Sequence, residues 1–176
     1  MTTNILISGF GGQGVLFAGK FLAYSGLIEN KEVTWLPSYG PEMRGGTASC
    51  SVIVSDTPIG SPLVPHPDVL IAMNLPSLDR FEDDVVPGGV IFYDSSLIER
   101  PVKRTDVRAF AVPATQLANE NGMSSLANMI LIGKMIKECN LVPDEAIDKA
   151  LSKVVSAKRA NLLTLNRQAI TMGQQA

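Results

Sequence analysis

The chain has 176 residues, of which 45% are hydrophobic and 18% charged, with a formal net charge of −2. A length of this order suits one domain, here 1–176, with room for a buried core. Near-neutral charge without a basic stripe excludes a general nucleic-acid binder, because nothing would neutralise a phosphate backbone. No apolar run reaches the roughly 18 residues needed to span a bilayer. Met1-Thr-Thr-Asn4 lacks the basic and then apolar pattern of a signal peptide, so a cytoplasmic protein is expected. Cys50 and Cys139 are the only cysteines. Two thiols make neither a zinc nor an iron–sulfur site, which take about four ligands each. They read as buried apolar thiols in a reducing compartment. The low charged fraction points to apolar surface left for a partner, or for a homo-oligomer when the chain is expressed alone.

The first informative stretch is an apolar run, Asn4-Ile-Leu-Ile-Ser8, that leads straight into Gly9-Phe-Gly-Gly-Gln-Gly14. Gly9, Gly11 and Gly14 fit the spacing Gly-x-Gly-x-x-Gly between a strand and a helix. Glycines let a backbone approach closely, and the free N–H groups of a helix start favour an anion. A phosphate or pyrophosphate is the expected ligand; a tight turn whose glycines serve only packing is the alternative. Val15 to Ile28 then carries a wide apolar face, and Glu32-Val-Thr-Trp-Leu-Pro37 follows as a second strand, a Rossmann-like βαβ opening. A dinucleotide site needs an acid at the end of that strand for the ribose hydroxyls. The strand ends Leu36-Pro37-Ser38, which argues against NAD. Gly14 to Lys20 has Walker A spacing, but Phe21 stands where a magnesium-binding hydroxyl must be, and Gly19 and Lys20 fall inside the helix.

Ser38 to Gly46 holds Tyr39, Glu42, Met43 and Arg44 between turn signals, and loops of this kind carry binding groups. Arg44 offers a forked donor to phosphate or carboxylate, or simply a solvated charge at a turn. Thr47 to Ser55 alternates as a strand, read with Val52 and Val54 on one face and Cys50 and Ile53 on the other. Prolines stiffen the connection from Pro58 to Pro67, and the single histidine, His66, reads as a turn residue without an acid or nucleophile partner. Asp68–Asn74 and Val90–Asp94 are short buried strands around a helix over 75–86 with Pro76 in its first turn. Val107–Val112 is a last strand, and a short helix covers 114–121. A helix over 126–139, capped by Ser124 or Ser125, is apolar almost all round and so central or at a subunit contact. Gly133 there would allow a close helix approach. Helices over 143–155 and 157–172 complete the chain, with a frayed polar end. The expected fold is α/β: a three-layer α/β/α domain on a mostly parallel, mixed sheet.

Two blocks together are specific. Gly9-Phe-Gly-Gly-Gln-Gly-Val-Leu-Phe-Ala-Gly-Lys20 and Ser38-Tyr-Gly-Pro-Glu-Met-Arg-Gly-Gly-Thr-Ala-Ser49 resemble the gamma subunit of 2-oxoacid:ferredoxin oxidoreductases. Asp56-Thr-Pro-Ile-Gly-Ser-Pro62 and Leu126-Ala-Asn-Met129 fit the same family, so the resemblance runs through the whole chain. It implies a complex that oxidatively decarboxylates a 2-oxoacid to an acyl-coenzyme A and reduces ferredoxin. Thiamine diphosphate, magnesium and 4Fe-4S clusters are implied on partner alpha, beta and delta-type subunits. This chain is expected to supply no catalytic residue and to show no turnover alone. The resemblance implies coenzyme A at or near the glycine loop, which explains a glycine fingerprint without a ribose-binding acid. Gly9, Gly11, Gly12, Gln13 and Gly14 are then its contacts, through backbone N–H groups and the Gln13 amide, with Glu42 and Arg44 next. Pro41-Glu-Met-Arg44 looks nearest to the 2-oxoglutarate and branched 2-oxoacid enzymes. The small subunit of the indolepyruvate enzyme and a stand-alone coenzyme A or nucleotide-binding module are the alternatives.

Overall fold

Residues that are apolar at successive positions belong in a strand covered on both faces. In the computed structural model, which describes residues 1–38 and 47–176, the run at Ile5–Ile7 forms the buried heart of β1 (Thr2–Phe10). The chain continues through α1 (Val15–Ile28), β2 (Glu32–Ser38), β3 (Thr47–Ser55), β4 (Val69–Ala72) and α2 (Leu75–Phe81). Then come β5 (Val90–Asp94), β6 (Arg108–Val112), α3 (Ala114–Glu120), α4 (Ala127–Cys139), α5 (Asp144–Val154) and α6 (Ala160–Gln175).

The described strands form one mixed sheet in the order β2-β3-β1-β4-β5-β6. β1, β4, β5 and β6 pair in parallel. The opening βαβ unit differs from the sequence reading: β3 lies between β1 and β2 and is antiparallel to both. β3 pairs back along β2, with Glu32 opposite Ser55 and Ser38 opposite Ser49, and so takes the slot beside β1.

Side chains two apart on a strand share a face. Ile5, Ile7, Val52, Val54 and Phe92 therefore point to one side, into a core shared with α1, α3, α4, α5 and α6. Leu6, Leu70, Ala72, Ile91 and Tyr93 point to the other, under Leu78 of α2 and Ile98. These are the three layers. Cys50 lies with Val52 and Val54, not opposite them, as the period of two requires. Its burial pushes the thiol up to about 12, against a hydrogen bond from Trp35. Cys139 is only half-buried, unlike the sequence reading.

Local ends also differ. α2 stops at Phe81 because Glu82 turns inward: it is buried, and its carboxylate accepts from the Arg100 guanidinium at 2.7 Å and from the Lys103 backbone N–H. No serine caps α4. A 3-10 turn at Ser124–Leu126 leads into it, with Leu126 in the cap position. The last helix begins at Ala160, after a turn capped by Ser156, and it stays helical to Gln175 instead of fraying after Met172.

α4 is buried from Ala127 to Gly133, the pattern of a central helix. It crosses α6 with almost no gap. A Cβ at Gly133 would stand 2.1 Å from the Ile170 carbonyl oxygen, and one at Gly173 would stand 1.9 Å from that of Ile130. Backbone cannot yield as a side chain can, so a methyl group at either place parts the helices. Gly133→Ala or Gly173→Ala should lower stability by about 3 kcal/mol, the upper end of overpacking costs, in urea titration. Gly60→Ala, with open space around the added atom, should leave the midpoint near wild type.

Candidate functional site

The glycine loop leaves the carboxyl end of β1. From β1 the chain crosses by α1 to one side of the sheet, while β4 pairs on the other side. Ligands of open α/β sheets bind in the crevice outside the strand ends at such a reversal. Gly11 and Gly12 form the exposed turn, and Gly12 has φ +92°. Gly14 is the N-cap of α1 in the left-handed region, φ 76° and ψ 27°. Glycine takes these left-handed angles at no steric cost.

No side chain caps α1, and its first turn has no acid. The orphan N–H groups and the positive end of the helix dipole are therefore available to an anion. Two cavities flank the loop. One, of about 270 Å³, is lined by Gly11, Gly12, Gly14, Val15, Phe17 and Ala48 among others. The second, of about 220 Å³, includes Gly12, Gln13, Leu97, Thr115, Ser124 and Ser125. Asp94 stands behind Thr115, fully buried, and accepts from the Thr115 hydroxyl at 2.5 Å. Its carboxylate disfavours an anion on that side, whereas among the described residues the 270 Å³ cavity has no acidic lining side chain.

Gln13 does not present a free amide. Its Oε1 accepts the Phe10 backbone N–H at 2.6 Å, and its Nε2 donates to the Met73 carbonyl at 3.1 Å. The side chain straps the loop to the end of β4. Gly9 makes room for it, since a Cβ there would lie 2.6 Å from Gln13 Oε1. Of the residues the sequence singled out, Gly9, Gly11, Gly12, Gln13 and Gly14 thus meet in one loop. Glu42 and Arg44 lie outside the described residues.

Asn128 was missed. Its Nδ2 donates to the Gly14 carbonyl at 3.0 Å. One polar residue inside the apolar run from Ala127 to Gly133 was the available signal. A larger cavity of about 620 Å³ lies against β2 and β3 near α2, with His66, Arg80 and Asp84 on its lining. His66 is exposed, as a turn residue should be. Among the described residues, no group of three or more His, Cys, Asp or Glu side chains is placed to hold a metal ion. No described helix is long and apolar enough to cross a membrane.

The chain matches the family described as pyruvate ferredoxin/flavodoxin oxidoreductase over residues 4–176. It belongs to that family. It is 40% identical over 172 residues to ketoisovalerate oxidoreductase subunit VorA of Methanothermobacter thermautotrophicus, covering 98% of this chain and 36% of that protein. The chain thus spans about a third of that relative's length. It is 35% identical to 2-oxoglutarate synthase subunit KorC of Methanocaldococcus jannaschii, covering 95% of this chain and 92% of that one. Among solved structures, the gamma subunit of a keto/oxoacid ferredoxin oxidoreductase from Geobacter sulfurreducens is similar, with a TM-score of 0.83 and 31% identity. That match covers 98% of this chain and 96% of the other.

Replacing Gln13 with Met keeps the bulk and removes both hydrogen bonds. Gln13→Met should cost about 1–2 kcal/mol in denaturant unfolding, and the Phe10 amide should exchange faster. An unchanged Phe10 exchange rate would show that the strap does not hold the loop.

Proposed function

We propose that this chain is the gamma subunit of a cytoplasmic 2-oxoacid:ferredoxin oxidoreductase, acting as one gamma domain over 1–176. In this reading the complex converts a 2-oxoacid, with 2-oxoglutarate favoured, to its acyl-coenzyme A and passes electrons to ferredoxin. Thiamine diphosphate, magnesium and 4Fe-4S clusters belong to alpha, beta and delta-type partners. The glycine loop holds part of coenzyme A for chemistry on those partners.

One observation carries the reading: an uncapped helix start behind an open glycine turn, at the strand ends where the sheet order reverses. A pyrophosphate suits backbone N–H donors, and coenzyme A asks for no acid after β2, where this chain has none. The cavity beside the N–H groups, about 270 Å³, lies below the roughly 300–1,000 Å³ of a site that encloses a drug-sized ligand. A loop that grips part of the ligand and leaves the rest to a neighbouring subunit fits that size. The likeness to both a KorC and a VorA supports a 2-oxoacid as substrate class. The 2-oxoglutarate preference rests on Pro41-Glu-Met-Arg44. Glu42 and Arg44 remain the proposed second contact, to coenzyme A or to a partner subunit.

Gly12 provides the test: an added Cβ there meets nothing within 4 Å, and at φ +92° a side chain also strains the turn, so both effects fall on the loop itself. A side chain at this position stands over the loop, where the ligand would approach. In the assembled complex, Gly12→Leu should raise the KM for coenzyme A by about tenfold or more, the scale of one lost good hydrogen bond. The KM for the 2-oxoacid should stay within about twofold, as expected when only the coenzyme A contact is touched. Equal changes for the two substrates, or none, would remove coenzyme A from the loop.

A further inference from the structure

We infer that Asn128 is the positioning residue of the glycine loop: from the first turn of α4 its amide fixes the Gly14 turn whose N–H groups face the ligand. The inference rests on the coenzyme A reading above. Asn128 is 3% exposed and is the polar member of the buried run from Ala127 to Gly133. Its Nδ2 donates to the Gly14 carbonyl at 3.0 Å across 114 residues of sequence. That carbonyl already accepts the Ala18 N–H, also at 3.0 Å. Gly14 would therefore be satisfied without the asparagine, and the second bond serves to hold the turn in place.

The amide is costly where it stands. Asn128 Oδ1 is buried and has no hydrogen-bond partner among the described residues. A buried polar atom left unpaired opposes folding, so an apolar side chain of similar size would serve a purely structural role better. Shape adds to the case. A Cβ on Gly14 would fall 2.4 Å from Asn128 Nδ2, so the missing side chain of Gly14 is the seat for this amide. α4 in turn is clamped to α6 at Gly133 and Gly173. Asn128 thereby references the ligand-facing turn to the rigid helical layer, while Gln13 references the other end of the loop to β4. Exposed backbone at the loop tip stays free to meet the ligand, held from beneath on both sides.

The test uses Asn128→Leu, which keeps the volume, and Asn128→Ala, which does not. In the full chain, amide hydrogen exchange at Ala18, whose N–H donates to the same Gly14 carbonyl, should speed by about tenfold in both variants, the scale of one lost hydrogen bond. In the assembled complex the KM for coenzyme A should rise by a similar factor, about tenfold, and that for the 2-oxoacid should not follow. Gly14→Ala should be rescued in part by Asn128→Ala, since the second change removes the clash and leaves only the backbone strain. Faster exchange with an unchanged coenzyme A KM would uphold the hold on Gly14 and overturn the coenzyme A reading. Unchanged exchange at Ala18, with additive Gly14 and Asn128 effects, would overturn the positioning role itself.

Discussion

The structure depends on a loop that two amide side chains can approach because two Cβ atoms are absent. Gln13 folds back over Gly9, and Asn128 reaches in over Gly14. Each contact ties the loop to a separate part of the frame, one to the end of β4 and one to α4. With both anchors beneath, the tip at Gly11 and Gly12 is left exposed, with open space around Gly12. A backbone that recognises an anion through its N–H groups must be held in this way, because disorder in the loop would scatter donors that have to converge.

Much of this frame was legible from local pattern. Short apolar runs, the glycine turn and the helical periodicities placed β1, β4, β5, α1 and α4 close to where they lie. Strand order was not legible, since a βαβ pattern says nothing about whether another strand enters between its two ends. Here β3 does, by pairing with β2. The Gly19 of the Walker-like spacing proves to be a packing residue, where an added Cβ would touch Cys50 Sγ at 2.4 Å. A motif written in one dimension cannot separate a glycine that faces a ligand from one that faces a sheet.

The candidate site was legible in half. The loop glycines were found by their spacing, but the roles of the two amides depend on partners far along the chain. Gln13 looked like a ligand contact and is occupied internally on both sides, with one partner 60 residues away. Asn128 was noticed only within Leu126-Ala-Asn-Met129, with no role assigned. Neither assignment can be read from nearby residues, because long-range hydrogen bonds leave no periodic trace in sequence. The α2 boundary failed for a related reason: a buried Glu82 answered by Arg100 outweighs local helix preference.

A division of labour follows. The chain belongs to the pyruvate ferredoxin/flavodoxin oxidoreductase family, and its glycine loop ends at the uncapped start of α1. The proposed coenzyme A contact, with redox chemistry proposed on partner subunits, joins both facts. Density for coenzyme A in the purified complex tests that claim most directly. The account predicts the pyrophosphate within hydrogen-bond reach of the N–H groups of Gly12, Gly14, Val15 and Leu16, in the cavity lined by Val15 and Phe17; the Gln13 N–H is already given to the Phe10 carbonyl. Coenzyme A bound wholly on other subunits, with this loop facing solvent or protein, would contradict it.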